Sequence, residues 1–225
     1  LSIEMIFVTS LIVGLTGAMM PGPLLTVTIA ETARCGFRAG PLLILGHGIL
    51  ELVLIVALTA GLATILIRAE VTAVIATVGG AFLLWMGGTI ARDALLGRVK
   101  PAVVRETDPA TGRPVAGPGG APRLIGLGIA TSLANPYFIL WWATIGLGYI
   151  TLSLERGVAG WAAFFSGHIL ADLGWYSLVA GAVAGSGRFL TPGIYRGILA
   201  VCGAFLVVLG GYFIYSGLVK NLWLG

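Results

Sequence analysis

The sequence predicts an all-α integral membrane protein, with six transmembrane helices laid out as two inverted-topology three-helix repeats. The prediction rests on three features. Of 225 residues, 58% are hydrophobic and only 10% charged, against about 25% charged in an ordinary soluble domain. Six apolar runs are each long enough for a hydrocarbon core that takes about 20 helical residues. The second three runs also repeat motifs of the first three. With a mean hydropathy of +1.02, these features exclude a disordered chain, a coiled coil and a soluble enzyme. The net charge of +4 is no nucleic-acid signature, because the basic residues lie between apolar runs, as in membrane proteins with basic cytoplasmic loops.

The first run, 4–31, is too long for a signal-peptide core and reads as a retained helix. It carries MMPGPLL (19–25) near its middle. Proline lacks an N–H and clashes with the preceding turn, so Pro21 and Pro23 are expected to break the helix and free the carbonyls of Gly17 and Met19. Runs 39–67 and 71–95 complete the first repeat, residues 1–95. A Pro- and Gly-rich segment without periodicity, 96–122, reads as a flexible linker. The second repeat, 123–225, holds runs 124–151, 158–186 and 193–219. Its first run contains Asn135–Pro136, with Pro136 expected to free the carbonyl of Ser132.

The repeat is read from matched motifs. Gly36, Gly46, His47 and Glu51 recur 121 residues later as Gly157, Gly167, His168 and Asp172. Thr16 and Pro21 match Thr131 and Pro136, and GGAFLLWMGG (79–88) matches CGAFLVVLGG (202–211). Three spans is an odd number, so the second copy enters the membrane from the opposite side, the plan of many secondary transporters. With both termini outside, ten of the thirteen Lys and Arg residues face the cytoplasm, among them Arg34, Arg38, Arg92, Lys100, Arg105, Arg113, Arg123, Arg188 and Arg196. Only Arg68, Arg156 and Lys220 lie on the other side, so the positive-inside rule places the linker in the cytoplasm.

Paired breaks in matching helices point to a binding site. The restarted helix offers unpaired N–H groups and a positive dipole end to a carboxylate. Pro21, Gly22, Pro23, Asn135 and Pro136 are therefore candidate substrate-binding residues. His47 and Glu51 are four apart and share a helix face, as do His168 and Asp172. At 1.5 Å per residue, Glu51 lies about 20 Å from Arg38 and Asp172 about 24 Å from Arg156. Both carboxylates are thus near the bilayer middle, where ionisable groups are costly and face a cavity or each other. Glu51 and Asp172 are read as ligands for a substrate amine. They are also read as proton carriers, with His47 and His168 as their partners. Two histidines and two carboxylates also suit Zn, Ni or Mn, and a divalent-cation exporter using these two pairs is the alternative reading. A non-transporting scaffold is the third, with the buried polar groups only holding helices together. No cofactor and no resident metal is assigned, and no catalytic constellation is found.

Glu31 with Arg34 and Arg38 reads as an interfacial ion pair. Trp141 and Trp142 follow the second break and are read equally as cavity lining or packing. Trp161 and Trp223 are read as interface belt residues, and Cys35 and Cys202 as buried small apolar residues. Gly36, Gly40, Gly87 and Gly88 fit close helix contacts, and the glycine-lined faces allow a homodimer.

MMPGP (19–23), GFRAG (36–40), Gly46 and NPYF (135–138) together resemble the LysE/RhtB family of amino-acid exporters, over nearly the whole chain. The family pattern usually continues PGP with Asn, where this chain has Leu24. The resemblance implies a multi-pass protein of the cytoplasmic membrane that exports small solutes, often amino acids, driven by the proton gradient. The expected partners are that solute, protons and the lipid bilayer, with no nucleic acid.

Overall fold

In a computed structural model, residues 1–20, 22–66, 68–98, 120–186 and 191–222 are described. Pro21, the linker between 99 and 119 with Lys100, Arg105 and Arg113, and also Arg188 and Trp223, lie outside the described residues. Among the described residues the chain is helical without a strand.

The first predicted span is two helices, α1 (Ile3–Ala18) and α2 (Pro23–Cys35), bent by 74°. Ser2 caps α1 by accepting from the Met5 N–H. Pro23 opens α2, a first-turn position where its missing N–H costs nothing. The carbonyl expected to be free at Gly17 instead accepts from Met20 N–H at 3.1 Å in a tightened last turn. Helix α3 (Ala39–Ala57) runs into a π-helical segment, Leu58–Leu62, and a short α4 (Ala63–Leu66). The expected unbroken helix is interrupted because Gly61 takes φ 99°, a value that only glycine adopts without strain. Helix α5 (Ala69–Leu95) closes the first half.

The second half also carries a break at a proline. Helix α6 (Ala121–Leu133) stops before Asn135, and α7 (Pro136–Trp141) restarts with Pro136 in its first turn. The Ser132 carbonyl, also expected to be free, accepts from Asn135 N–H at 3.1 Å. A second π-helical segment, Trp142–Gly146, leads into α8 (Leu147–Leu154). Two long helices, α9 (Gly157–Gly185) and α10 (Pro192–Leu222), end the chain.

By length and apolar composition, Ala39–Leu62, Ala69–Leu95 and Pro192–Val219 among the described residues can each cross a membrane, and bent α1–α2 has the length and composition of a fourth, either as a broken span or as a re-entrant loop. The other two expected spans are less regular. One is divided among α6, α7 and α8. In the other, α9, mid-helix His168 and Asp172 dilute the apolar run.

Glycines set the closest approaches. A Cβ on Gly80 would stand 2.6 Å from the Gly210 carbonyl, and one on Gly87 2.6 Å from that of Gly203. Antiparallel α5 and α10 thus pack backbone to backbone, the contact that small residues permit between membrane helices. The glycine faces open to a second copy on sequence grounds are occupied within the chain at Gly87 and at Gly40, which abuts Ala180 and Tyr176. Gly46 abuts the Ile125 carbonyl, and Gly128 that of Leu43, locking α3 to α6. Gly167 abuts Phe7 and Ser10, locking α9 to α1, where the Ser10 hydroxyl donates to the Phe164 carbonyl at 2.9 Å.

Four apolar clusters form among the described residues, two of them large. One gathers Val27, Leu83, Leu199, Leu206 and Phe213; the other gathers Ile6, Ile55, Trp142, Ile150 and Phe164. Outward faces are also apolar, with Val53, Val78, Trp85, Val201, Val208 and Tyr215 exposed. A water-facing protein rarely shows such a surface, whereas lipid tails accept it.

Candidate functional site

The two breaks and the middles of α3 and α9 surround one cavity of about 240 Å³. Its walls include Gly22, Pro23 and Leu24 from the start of α2, Asn135 and Phe138 from the second break, and His47, Glu51, His168 and Asp172. Pro136 is buried but does not line it. Both Trp141 and Trp142 line it.

The two breaks are not equivalent. Among the described residues no side chain caps the first turn of α2, and Gly22, Pro23 and Leu24 at that start line the cavity. At the second break, Asn135 Oδ1 accepts from Tyr137 N–H at 3.1 Å, and the Asn135 carbonyl accepts from Phe138 N–H at 3.1 Å. Of the two helix starts expected to receive a carboxylate, the one at α2 is without a side-chain cap among the described residues.

The four ionisable groups converge. One turn separates His47 from Glu51 on α3, and another separates His168 from Asp172 on α9, so each helix turns two groups inward. All four are at most 6% exposed. Pairing crosses between the helices. Glu51 Oε1 lies 3.0 Å from His47 Nε2 and 3.1 Å from His168 Nε2. Asp172 Oδ2 lies 3.6 Å from the Nε2 atoms of both histidines, too far for a hydrogen bond. Glu51 is thus the hub, although the helical spacing alone pairs each acid with its own neighbour. Among the described residues, Glu51 Oε2, Asp172 Oδ2 and His168 Nδ1 have no hydrogen-bond partner.

Two residues that sequence reasoning did not assign orient the cluster. Trp142 Nε1–H donates to Glu51 Oε1 at 3.3 Å. The Ser132 hydroxyl donates its single proton to the Gly128 carbonyl at 2.9 Å and sits 2.7 Å from His47 Nδ1. With that proton used, Ser132 accepts, so His47 carries its proton on Nδ1 and turns Nε2 toward the carboxylates. Phe138 packs on the His47 ring at 5.1 Å, and Trp141 and Trp142 pack on His168 at 5.1 and 5.0 Å. These rings give the cluster apolar surroundings, which strengthen its charge interactions. Ser132 carries a weak signal in the chain, as the residue three before Asn135. Trp142 carries one as half of the Trp pair after the break.

A second polar cluster lies toward the far ends of α2 and α6. Glu31, 2% exposed, accepts two hydrogen bonds from Arg123, at 2.7 and 3.0 Å, and one from Arg34 at 3.4 Å. The expected ion pair exists with Arg34, but the bidentate partner is Arg123, 92 residues away. Cys35 and Cys202 are both buried.

A polar cavity enclosed by apolar helices suits a membrane translocator. The description "LysE type translocator" matches residues 15–217, and the chain belongs to that family. Among curated proteins it is 28% identical over 209 residues to the "Chemotactic transduction protein ChpE" of Pseudomonas aeruginosa, covering 92% of this chain and 96% of that protein. No solved structure gives a significant match.

Proposed function

We propose that the chain exports a small zwitterionic solute, an amino acid or a derivative of one, across the cytoplasmic membrane, driven by the proton gradient. One observation carries this reading. A single cavity joins the uncapped start of α2 to the paired carboxylates Glu51 and Asp172. A carboxylate suits the first, because the dipole and unpaired N–H groups there favour an anion. An ammonium suits the second. At about 240 Å³, the cavity falls below the roughly 300–1,000 Å³ of sites for drug-sized ligands, as a small solute requires. Gly22, Pro23 and Asn135 would flank the carboxylate, with Pro21 and Pro136 shaping the breaks.

Alternating access belongs to the proposal, with the two three-helix halves rocking around the site. Repeat-related contacts support this organisation. Gly46 against Ile125 corresponds to Gly167 against Ser10, and Gly80 against Gly210 corresponds to Gly203 against Gly87. The halves would span 1–95 and 123–225, with both termini outside and the linker 96–122 cytoplasmic.

The test is transport in proteoliposomes loaded with labelled amino acids. Saturable efflux, accelerated by an opposing proton gradient and lost with a protonophore, is the expected result. Combined Glu51→Gln and Asp172→Asn should abolish it. Unchanged efflux in that variant would remove the carboxylates from the mechanism.

A further inference from the structure

We infer that the cluster of His47, Glu51 and Asp172 is a binding site for one divalent transition-metal ion of the zinc class, held when no solute amine occupies the cavity. This goes beyond the export reading and stands on the spacing of the donor atoms.

One ligand atom from each of the three residues lies within 4.8 Å of the other two. His47 Nε2 is 3.0 Å from Glu51 Oε1 and 3.6 Å from Asp172 Oδ2. A zinc-class ion with bonds of about 2.0–2.2 Å in a tetrahedral shell holds its donors about 3.3–3.6 Å apart. A hydrogen-bonded ammonium, about 2.8 Å from each acceptor, spreads them to about 4.6 Å. The His47–Asp172 separation of 3.6 Å is that of the metal, and the His47–Glu51 separation of 3.0 Å is shorter still, so both lie well below the ammonium value. An amine would have to push the cluster open by about 1 Å, which makes amine and metal competitors.

Lone pairs agree with the spacing. Ser132 holds a His47 proton on Nδ1, so in the neutral imidazole Nε2 is an acceptor aimed at two carboxylate oxygens. Three acceptors facing one point repel unless a cation lies between them. A proton on His47 Nε2 would serve Glu51, at 3.0 Å, but not Asp172 Oδ2, which is buried without a hydrogen-bond partner among the described residues. A divalent ion engages both. The surroundings have the form found at metal sites, where a ligating histidine donates its other N–H to a fixed acceptor. Here Ser132 is that acceptor, and Trp142 N–H steadies Glu51. His168 Nε2, 3.1 Å from Glu51 Oε1 and 3.6 Å from Asp172 Oδ2, flanks the cluster. Three protein ligands with an open fourth position make an exchangeable site, unlike the closed four-ligand shells of structural zinc. Imidazole and carboxylate donors favour Zn, Co or Ni over Mg or Ca.

The experiment uses the full chain, purified in detergent without a polyhistidine tag and freed of metal by a chelator. Co²⁺ absorption reports ligand geometry, and Zn²⁺ calorimetry reports affinity and stoichiometry. One ion per chain, visible Co²⁺ bands and no response to Mg²⁺ are expected. Glu51→Gln should abolish the bands. Ser132→Ala keeps all three ligands, and loss of this outer contact should weaken Zn²⁺ binding about 10–100-fold. Glycine betaine, which carries no N–H, should not displace Zn²⁺, whereas a transported amino acid should. Absence of Co²⁺ bands in the wild type, or bands that survive Glu51→Gln, would overturn the inference. So would wild-type affinity in a folded Ser132→Ala protein. Metal binding in a chain that moves no amino acid would sink the export reading and leave the site standing. Amino-acid efflux without metal binding would do the reverse.

Discussion

Replacing Arg123 by Gln tests how the two halves are joined at the Glu31 end of the molecule. In the structure Arg123 gives Glu31 two hydrogen bonds, at 2.7 and 3.0 Å, and the change leaves Arg34 at 3.4 Å and the weak Cys35 Sγ donor at 3.7 Å. Glu31 itself is 2% exposed, whereas the Arg123 side chain is 44% exposed. Stripping one partner from a fully buried pair costs about 3–5 kcal/mol, while fully exposed pairs contribute about 0–1 kcal/mol. A pair with one buried and one half-open member falls between them, at about 2 kcal/mol. For a chain of this size each kcal/mol moves the melting temperature by about 2–4 °C, so Arg123→Gln should melt about 4–8 °C lower. Unfolding in detergent is commonly irreversible, so wild type and variant must be compared at one scan rate. Glu31→Gln and the double variant complete a cycle that isolates the pair, with an expected coupling of about 1–2 kcal/mol. An unchanged melting temperature together with zero coupling would mean that solvent screens the pair and that the halves are joined elsewhere.

Three further outcomes are expected. Gly46→Ala drives a methyl group into the Ile125 backbone and should cost about 3 kcal/mol by overpacking. Gly126→Ala, with nothing within 4 Å of the new atom, should be neutral or stabilising by about 0.5–1 kcal/mol; equal losses in both would refute the packing account. Trp142→Phe removes the N–H donated to buried Glu51 and should cost about 2 kcal/mol, read as a lower melting temperature in the same detergent. Single cysteines at Ser2 and Gly120, with Cys35 and Cys202 replaced by Ala, should label from opposite sides of intact cells. Labelling of both from outside would refute the proposed orientation.

Much of the site was legible before folding, because it depends on spacing along one helix. A four-residue interval puts His47 beside Glu51 and His168 beside Asp172 on any α-helix. Proline without an N–H ends a helix and starts another wherever it falls, so the breaks near 21–23 and 135–136 could be read directly. What proline does to the carbonyls was not legible, since a tightened turn recaptures those of Gly17 and Ser132. Nor was the π-helical interruption at Leu58–Leu62, which depends on how Gly61 is accommodated.

The chain alone determined a helical membrane protein, its breaks, and four inward-facing ionisable groups, all consequences of local geometry and of an apolar composition that water does not tolerate. Partners across helices came only with packing. Small residues such as Gly46, Gly128 and Gly167 let backbones touch at particular registers, and those registers bring residues about a hundred positions apart into reach. That is why Glu51 is shared by two histidines, why Ser132 orients His47, and why Arg123 rather than Arg34 holds Glu31 by two bonds. No period in the sequence encodes such meetings, because they depend on which faces of two helices close-pack.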